Sequence, residues 1–192
     1  GTGKWSGGVL APNGKIYGIP RESTQVLEID PVTQTTVLFG SLSGSDKWSG
    51  GVLAPNGKIY AIPYGSTQVL EIDPVTQTTN LFGSLSGTGK WAGGVLGLNG
   101  KIYGIPRDSV NVLEIDPVTK TIDLFTSFSG SAKLGGGALP PNGNIYGMPQ
   151  SATKILEISN INSPNVIGAD ALIPSPLSGL AASNYNMYYN KF

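Results

Sequence analysis

The chain has 192 residues with 28 Gly and 14 Pro, only 12% charged residues, and neither Cys nor His. Lacking Cys, it has no disulfide framework, thiol nucleophile or thiolate metal site, and lacking His it has no Ser-His-Asp triad, imidazole ligand or ready proton shuttle near neutral pH. Twelve Lys and Arg balance twelve Asp and Glu to a net charge of zero, and no stretch concentrates one sign. That excludes the electrostatic footprint of a nucleic-acid or anionic-membrane binder, and no apolar run approaches the roughly 18 residues of a membrane span.

Four segments open at Lys4, Lys47, Lys90 and Lys133, spaced by 43 residues without insertion or deletion. The first two copies, 4–46 and 47–89, are identical at 37 of 43 positions and differ at Gly18/Ala61, Arg21/Tyr64, Glu22/Gly65, Val37/Asn80, Ser45/Thr88 and Asp46/Gly89. The third copy, 90–132, drifts further. The fourth, 133–175, departs after Ser159, where Asn160-Ile161-Asn162-Ser163-Pro164 replaces the Asp-Pro-Val-Thr-Gln of the first. Each copy reads in order as four strands, GGVLAP, KIYGIP, STQVLEI and TTVLFG, separated by turn residues. Asn13-Gly14, Asn56-Gly57, Asn99-Gly100 and Asn142-Gly143 predict tight type I′ turns between strands one and two. Asp30-Pro31, Asp73-Pro74 and Asp116-Pro117 predict type I turns between strands three and four. No stretch holds a 3.6-residue apolar period for three turns, so helix is expected to be nearly absent apart from a turn over Leu177 to Ala182. The remaining segment, 176–192, is an aromatic tail expected to close or dock on the array, with Tyr185, Tyr188, Tyr189 and Phe192 among asparagines.

A 43-residue unit of four antiparallel strands has the size of one β-propeller blade, whose two apolar faces are buried only by stacking on neighbouring blades. The predicted class is therefore all-β, a propeller with four blades in this chain. The run APNGKIYGIP followed by VLEIDPVTQTT resembles YVTN and NHL-type propeller blades. The spacing from Lys-Trp to PNGKIY is similar, more distantly, to tachylectin-type lectin propellers, and the whole unit KWxGGVLAPNGKIYGIP resembles tandem propeller repeats of bacterial and protist proteins. These resemblances imply a fold, and an extracellular or cell-surface location, but no particular activity. Three arrangements follow: a closed four-bladed ring, half of an eight-bladed ring made by two chains, or a piece of a longer array. The Gly-rich first strands favour close approach at a narrow axis.

In a four-stranded meander, the strand two-to-three loop and the blade-to-blade connection share one face of the array. The copies differ mainly there, at Arg21-Glu22, Tyr64-Gly65, Arg107-Asp108 and Gln150-Ser151, and at Ser45-Asp46, Thr88-Gly89 and Ser131-Ala132. Variation on one face of a rigid scaffold is the pattern of a binding surface. The candidate ligand-binding residues are Lys4, Trp5, Arg21, Lys47, Trp48, Tyr64, Lys90, Trp91, Arg107 and Lys133. A Trp beside polar neighbours is the chemistry of a sugar platform, yet Leu134 in the Trp position of the fourth copy favours blade packing. The repeated Lys is expected to pair with a carboxylate or to contact ligand. Glu28, Glu71, Glu114 and Glu157, mid-strand between Leu and Ile, need partners, and Lys15, Lys58 and Lys101 or a Tyr hydroxyl are the candidates. Asp30, Asp73 and Asp116 lack the dense ligand spacing of a calcium loop.

The expectation is a non-enzymatic binding or assembly module without metal or cofactor, its interaction surface on the variable loop face. Carbohydrate binding and a structural subunit of a homo-oligomer or filament are the alternatives. Expected partners are a protein or glycan ligand and a second copy of the chain, with no nucleic acid and no membrane insertion.

Overall fold

The computed structural model describes residues 2–125, 134–159 and 173–174. Their strands recur with the sequence period. The first blade holds β1 (Trp5–Leu10), β2 (Ile16–Pro20), β3 (Val26–Asp30) and β4 (Thr35–Phe39). The second holds β5 (Trp48–Leu53), β6 (Ile59–Pro63), β7 (Val69–Asp73) and β8 (Thr78–Phe82), and the third β9 (Trp91–Leu96), β10 (Ile102–Pro106), β11 (Val112–Asp116) and β12 (Thr121–Phe125). The fourth holds β13 (Leu134–Ala138), β14 (Ile145–Pro149), β15 (Lys154–Ile158) and the short β16 (Ile173–Pro174). Each blade is an antiparallel meander in chain order, with its first strand innermost. The predicted class is the observed one. Lys133, the predicted turn over Leu177 to Ala182 and the 176–192 tail lie outside the described residues.

Local chemistry sets the connections, and it corrects one expected turn. A type I′ hairpin needs positive φ at both central residues, but Pro12 fixes a negative φ and only Gly14 is left-handed, at +78°. The Gly14 N–H closes on the Ala11 carbonyl at 3.0 Å, so the turn is centred on Pro-Asn with Gly after it. In the second hairpin the Asp30 carboxylate accepts from the Val32 and Thr33 amides at 2.9 and 3.1 Å. Gln34, Gln77 and Lys120, equivalent in the three copies, then take φ of 55°, 52° and 56°.

The core lies between blades. The face of the first blade carrying Tyr17, Ile19 and Val26 packs on the opposite face of the second, which offers Trp48, Ile59, Leu70 and Ile72. The second blade's Tyr60, Ile62 and Val69 meet Trp91, Ile102, Leu113 and Ile115 in the same way. The third blade's Tyr103, Ile105 and Val112 meet Leu134, Ile145, Leu156 and Ile158. Inner strands pack in series, β1 on β5, β5 on β9 and β9 on β13. A register shift in each inner strand, at Gly7, Gly50 and Gly93 in the first three, brings these backbones close together. The described blades do not close a four-membered ring. On the first blade Trp5, Ile16, Leu27 and Ile29 are only half-buried where their equivalents are buried, and on the fourth Met148 is 46% exposed where Ile19, Ile62 and Ile105 are fully buried.

Candidate functional site

A hydrogen-bonded belt of backbone crosses the variable face from blade to blade. The Arg21 N–H donates to the Lys4 carbonyl, the Lys47 N–H to the Arg21 carbonyl, and the Tyr64 N–H to the Lys47 carbonyl. The Lys90 N–H then donates to the Tyr64 carbonyl and the Arg107 N–H to the Lys90 carbonyl, all at 2.9 to 3.1 Å. Each repeated Lys thus alternates with the first variable residue after an Ile-Pro, and the belt sets Arg21, Tyr64 and Arg107 side by side although each is 43 residues from the next.

Their side chains form one stack. The guanidinium carbons of Arg21 and Arg107 lie 5.1 and 5.2 Å from the centre of the Tyr64 ring, within cation–π range, and Arg107 also donates to the Tyr64 hydroxyl. Arg21 is held by Asp46, Nε to Oδ1 at 2.7 Å, a hydrogen bond that raises its pKa further. Asp46 is in turn fixed by its own N–H donating to Glu22 at 2.9 Å. Arg107 has no ion pair among the described residues. The stack therefore presents one guanidinium paired with Asp46, an aromatic ring and a second guanidinium without an ion pair among the described residues.

Beside Arg107 a cleft of about 350 Å³ opens between the blade connection and the β10–β11 loop, lined by Ser84, Ser86, Thr88, Lys90, Asp108 and Ser109 among others. Hydroxyls, Lys90, Asp108 and the apolar side chains of Leu85, Trp91, Val110 and Leu124 line it, and its volume falls in the small-molecule range. Lys90 is buried, with Nζ donating to the carbonyls of Ser66 and Gly87 at 2.9 and 2.7 Å. Lys47 repeats this with Arg21 and Gly44, both at 2.9 Å. The carbonyls stand where a carboxylate was expected, because the belt brings backbone oxygens to the ammonium. Burial lowers the pKa of both amines.

Trp48 and Trp91 are each 1% exposed, with indole N–H groups donating to Gln68 and Asn111 carbonyls at 2.9 Å. Rings covered this fully pack between blades, and Trp91 also lines the cleft. Trp5 makes the same bond to the Gln25 carbonyl at 3.1 Å but is only half-buried, and Lys4 is exposed. Of the candidate residues, the structure joins Arg21, Tyr64 and Arg107 in the stack and places Lys90 and Trp91 at the cleft, while Trp48 is buried between blades.

On the opposite face the mid-strand glutamates have the expected partners and one that sequence reasoning missed. Glu28 accepts from Lys15 at 2.5 Å and from the Tyr17 hydroxyl at 2.9 Å. It also accepts from Gln77 of the next blade at 2.9 Å. Burial alone would raise its pKa, but hydrogen bonds from Lys15, Gln77 and Tyr17 hold it below the usual carboxylate value. Glu71 is held likewise by Lys120, Lys58 and Tyr60, and burial pushes the Tyr60 hydroxyl up to about 12. The cross-blade donors sit at the left-handed Gln77 and Lys120, a backbone feature for which neither residue type is a signal.

No family model matches the chain, and no curated protein does. Solved structures do. A catalytically inactive virginiamycin B lyase from Staphylococcus aureus bound to quinupristin superposes with a TM-score of 0.72 at 13% identity, covering 85% of this chain and 54% of that one. A streptogramin B lyase gives 0.70 at 14%, covering 82% and 52%. An auxiliary nutrient binding protein from Bacteroides ovatus gives 0.59 at 16%, covering 81% and 38%. The fold is that of a β-propeller. The chain spans about half the length of these lyases. The same comparison corrects the expectation of a non-enzymatic chain: this propeller fold carries lyases, so lack of His and Cys excludes particular mechanisms and not the enzyme class.

Proposed function

We propose that this is a ligand-binding β-propeller segment whose recognition surface is the variable loop face, and that it takes an anionic, hydroxyl-bearing ligand of the uronic-acid glycan type. The carrying observation is the Arg21–Tyr64–Arg107 stack, equivalent positions of three consecutive blades that differ in sequence yet converge on one surface. Arg107 supplies the charge-assisted bond to a carboxylate, Tyr64 an aromatic face, and the cleft hydroxyls the partners for sugar hydroxyls. A binding role is in keeping with the nutrient binding protein among the similar structures, and with an extracellular domain of a putative hybrid two-component system from B. thetaiotaomicron at TM-score 0.61 and 13% identity.

Calorimetric titration with oligouronates and their neutral counterparts tests this. Binding of the acidic series alone is expected, and Arg107→Ala removes about 1.5–3 kcal/mol, roughly 10- to 100-fold in Kd. Equal affinity for neutral sugars, or an Arg107→Ala chain that binds as before, refutes the reading. Quinupristin, the compound held by the lyase neighbour, belongs in the same panel with turnover followed by mass spectrometry. Chemistry on this face would draw on Lys, Tyr and carboxylates, the ionisable groups the composition supplies.

A further inference from the structure

The first and fourth blades carry the two halves of an interface that the chain already makes three times. The first blade leaves open the face that the second, third and fourth blades bury, with Trp5, Ile16, Leu27 and Ile29 half-covered. Leu10 on that blade is 62% exposed, while its equivalents Leu53 and Leu96 pack on the cores. On the fourth blade no described residue covers the complementary face, with Tyr146 half-buried where Tyr17, Tyr60 and Tyr103 are fully buried, and Met148 46% exposed.

The polar groups match as well. At internal junctions Gln77 and Lys120 reach back to the glutamates of the preceding blade, at 2.9 Å to Glu28 and 3.0 Å to Glu71. The Tyr17 and Tyr60 hydroxyls donate forward to the carbonyls of Pro74 and Pro117 at 3.2 and 3.1 Å. The equivalents at the open ends are Gln34 and Pro31 on the first blade and Glu157 and Tyr146 on the fourth. Glu157 is held within its own blade by Asn144 and Tyr146. It has no partner from a following blade among the described residues.

We propose that a second copy of this chain docks head to tail, fourth blade on first blade at both junctions, closing a two-chain ring of eight blades. Gln34 of the partner subunit then meets Glu157, and the Tyr146 hydroxyl meets the Pro31 carbonyl of the partner subunit. A heterologous contact of this kind closes when the rotation per copy fits and otherwise propagates.

Light scattering on size-exclusion fractions of the full chain tests the pairing, with Leu10→Asp and Met148→Asp as interface variants. Both sites are exposed in the single chain, so the fold tolerates the change, and circular dichroism verifies it. The expected result is a wild-type species of twice 19.9 kDa and variants that each run as one chain. An equimolar mixture of the two variants regains a two-chain species at the highest concentration, because one junction between them is intact. A single-chain wild type at every concentration overturns the proposal, whether the 175–192 segment or nothing occupies the faces. So does a species larger than two chains, a variant that still pairs alone, or a mixture that does not pair.

Discussion

Truncating Trp48 to Ala separates a packing tryptophan from a ligand platform. Its ring is 1% exposed and packed among Ile19, Ala61 and Leu70, and its indole N–H satisfies the Gln68 carbonyl. Removing it leaves a cavity between two blades and an unpaired carbonyl, at about 3–5 kcal/mol for a buried aromatic. At roughly 2–4 °C per kcal/mol in a chain of this size, the melting temperature falls by about 10 °C. Calorimetry or a far-ultraviolet melt reads the shift, and titration of the same variant should show ligand affinity unchanged where the fold persists. A fall below about 2 °C together with lost binding would refute the packing role. The same truncation at Trp5 reads the open end. Its ring is half covered, so the cost in one chain is about half; a second copy covering the face makes the two truncations equal.

Further expectations concern pH, the axis and the stack. Glu28, Glu71, Asp30, Asp73 and Asp116 all titrate below their ordinary values of 4.5 and 3.8 in the folded chain. Their contribution is thus complete above those values and is lost as pH falls through the lowered ones. Urea midpoints that stay flat from pH 6 to about 2 would contradict this. Gly50→Ala and Gly93→Ala each place a side chain at φ +74°, at about 1–2 kcal/mol. Only at Gly50 does the new carbon press on backbone, 3.2 Å from the Gly93 Cα, so it is the costlier by about 1 kcal/mol, and equal melting temperatures would count against the axial packing. Tyr64→Ala removes the ring shared by both guanidiniums and lowers ligand affinity by about 1–2 kcal/mol, whereas Tyr64→Phe, which keeps the ring, loses less; identical losses would mean that stacking contributes nothing.

Blade size, strand order and the split between a uniform turn face and a varied loop face were legible because they follow from local turn chemistry and from a period of 43 residues. The pairing of Glu28 with Lys15 and Tyr17 was legible for the same reason, as neighbours in one sheet. What crosses blades was not. The belt that carries Arg21 to Tyr64 to Arg107 runs through backbone groups common to every sequence, and Gln77 reaches Glu28 from a turn whose handedness neither residue announces. Identical residues also take different environments by position. VLEID spans both β3 and β7, yet Leu27 is half-buried and Leu70 fully buried, since burial here belongs to the neighbour and not to the strand.

The recognition surface is tested most directly by following the side-chain guanidinium resonances of Arg21 and Arg107 in a ¹⁵N-labelled chain titrated with an oligouronate. Saturable shifts at both arginines and at the Tyr64 ring, with the amides of the Asn13-Gly14 and Asn56-Gly57 turns unmoved, are the predicted result. Shifts confined to the turn face, or none at the arginines while ligand binds, would contradict it.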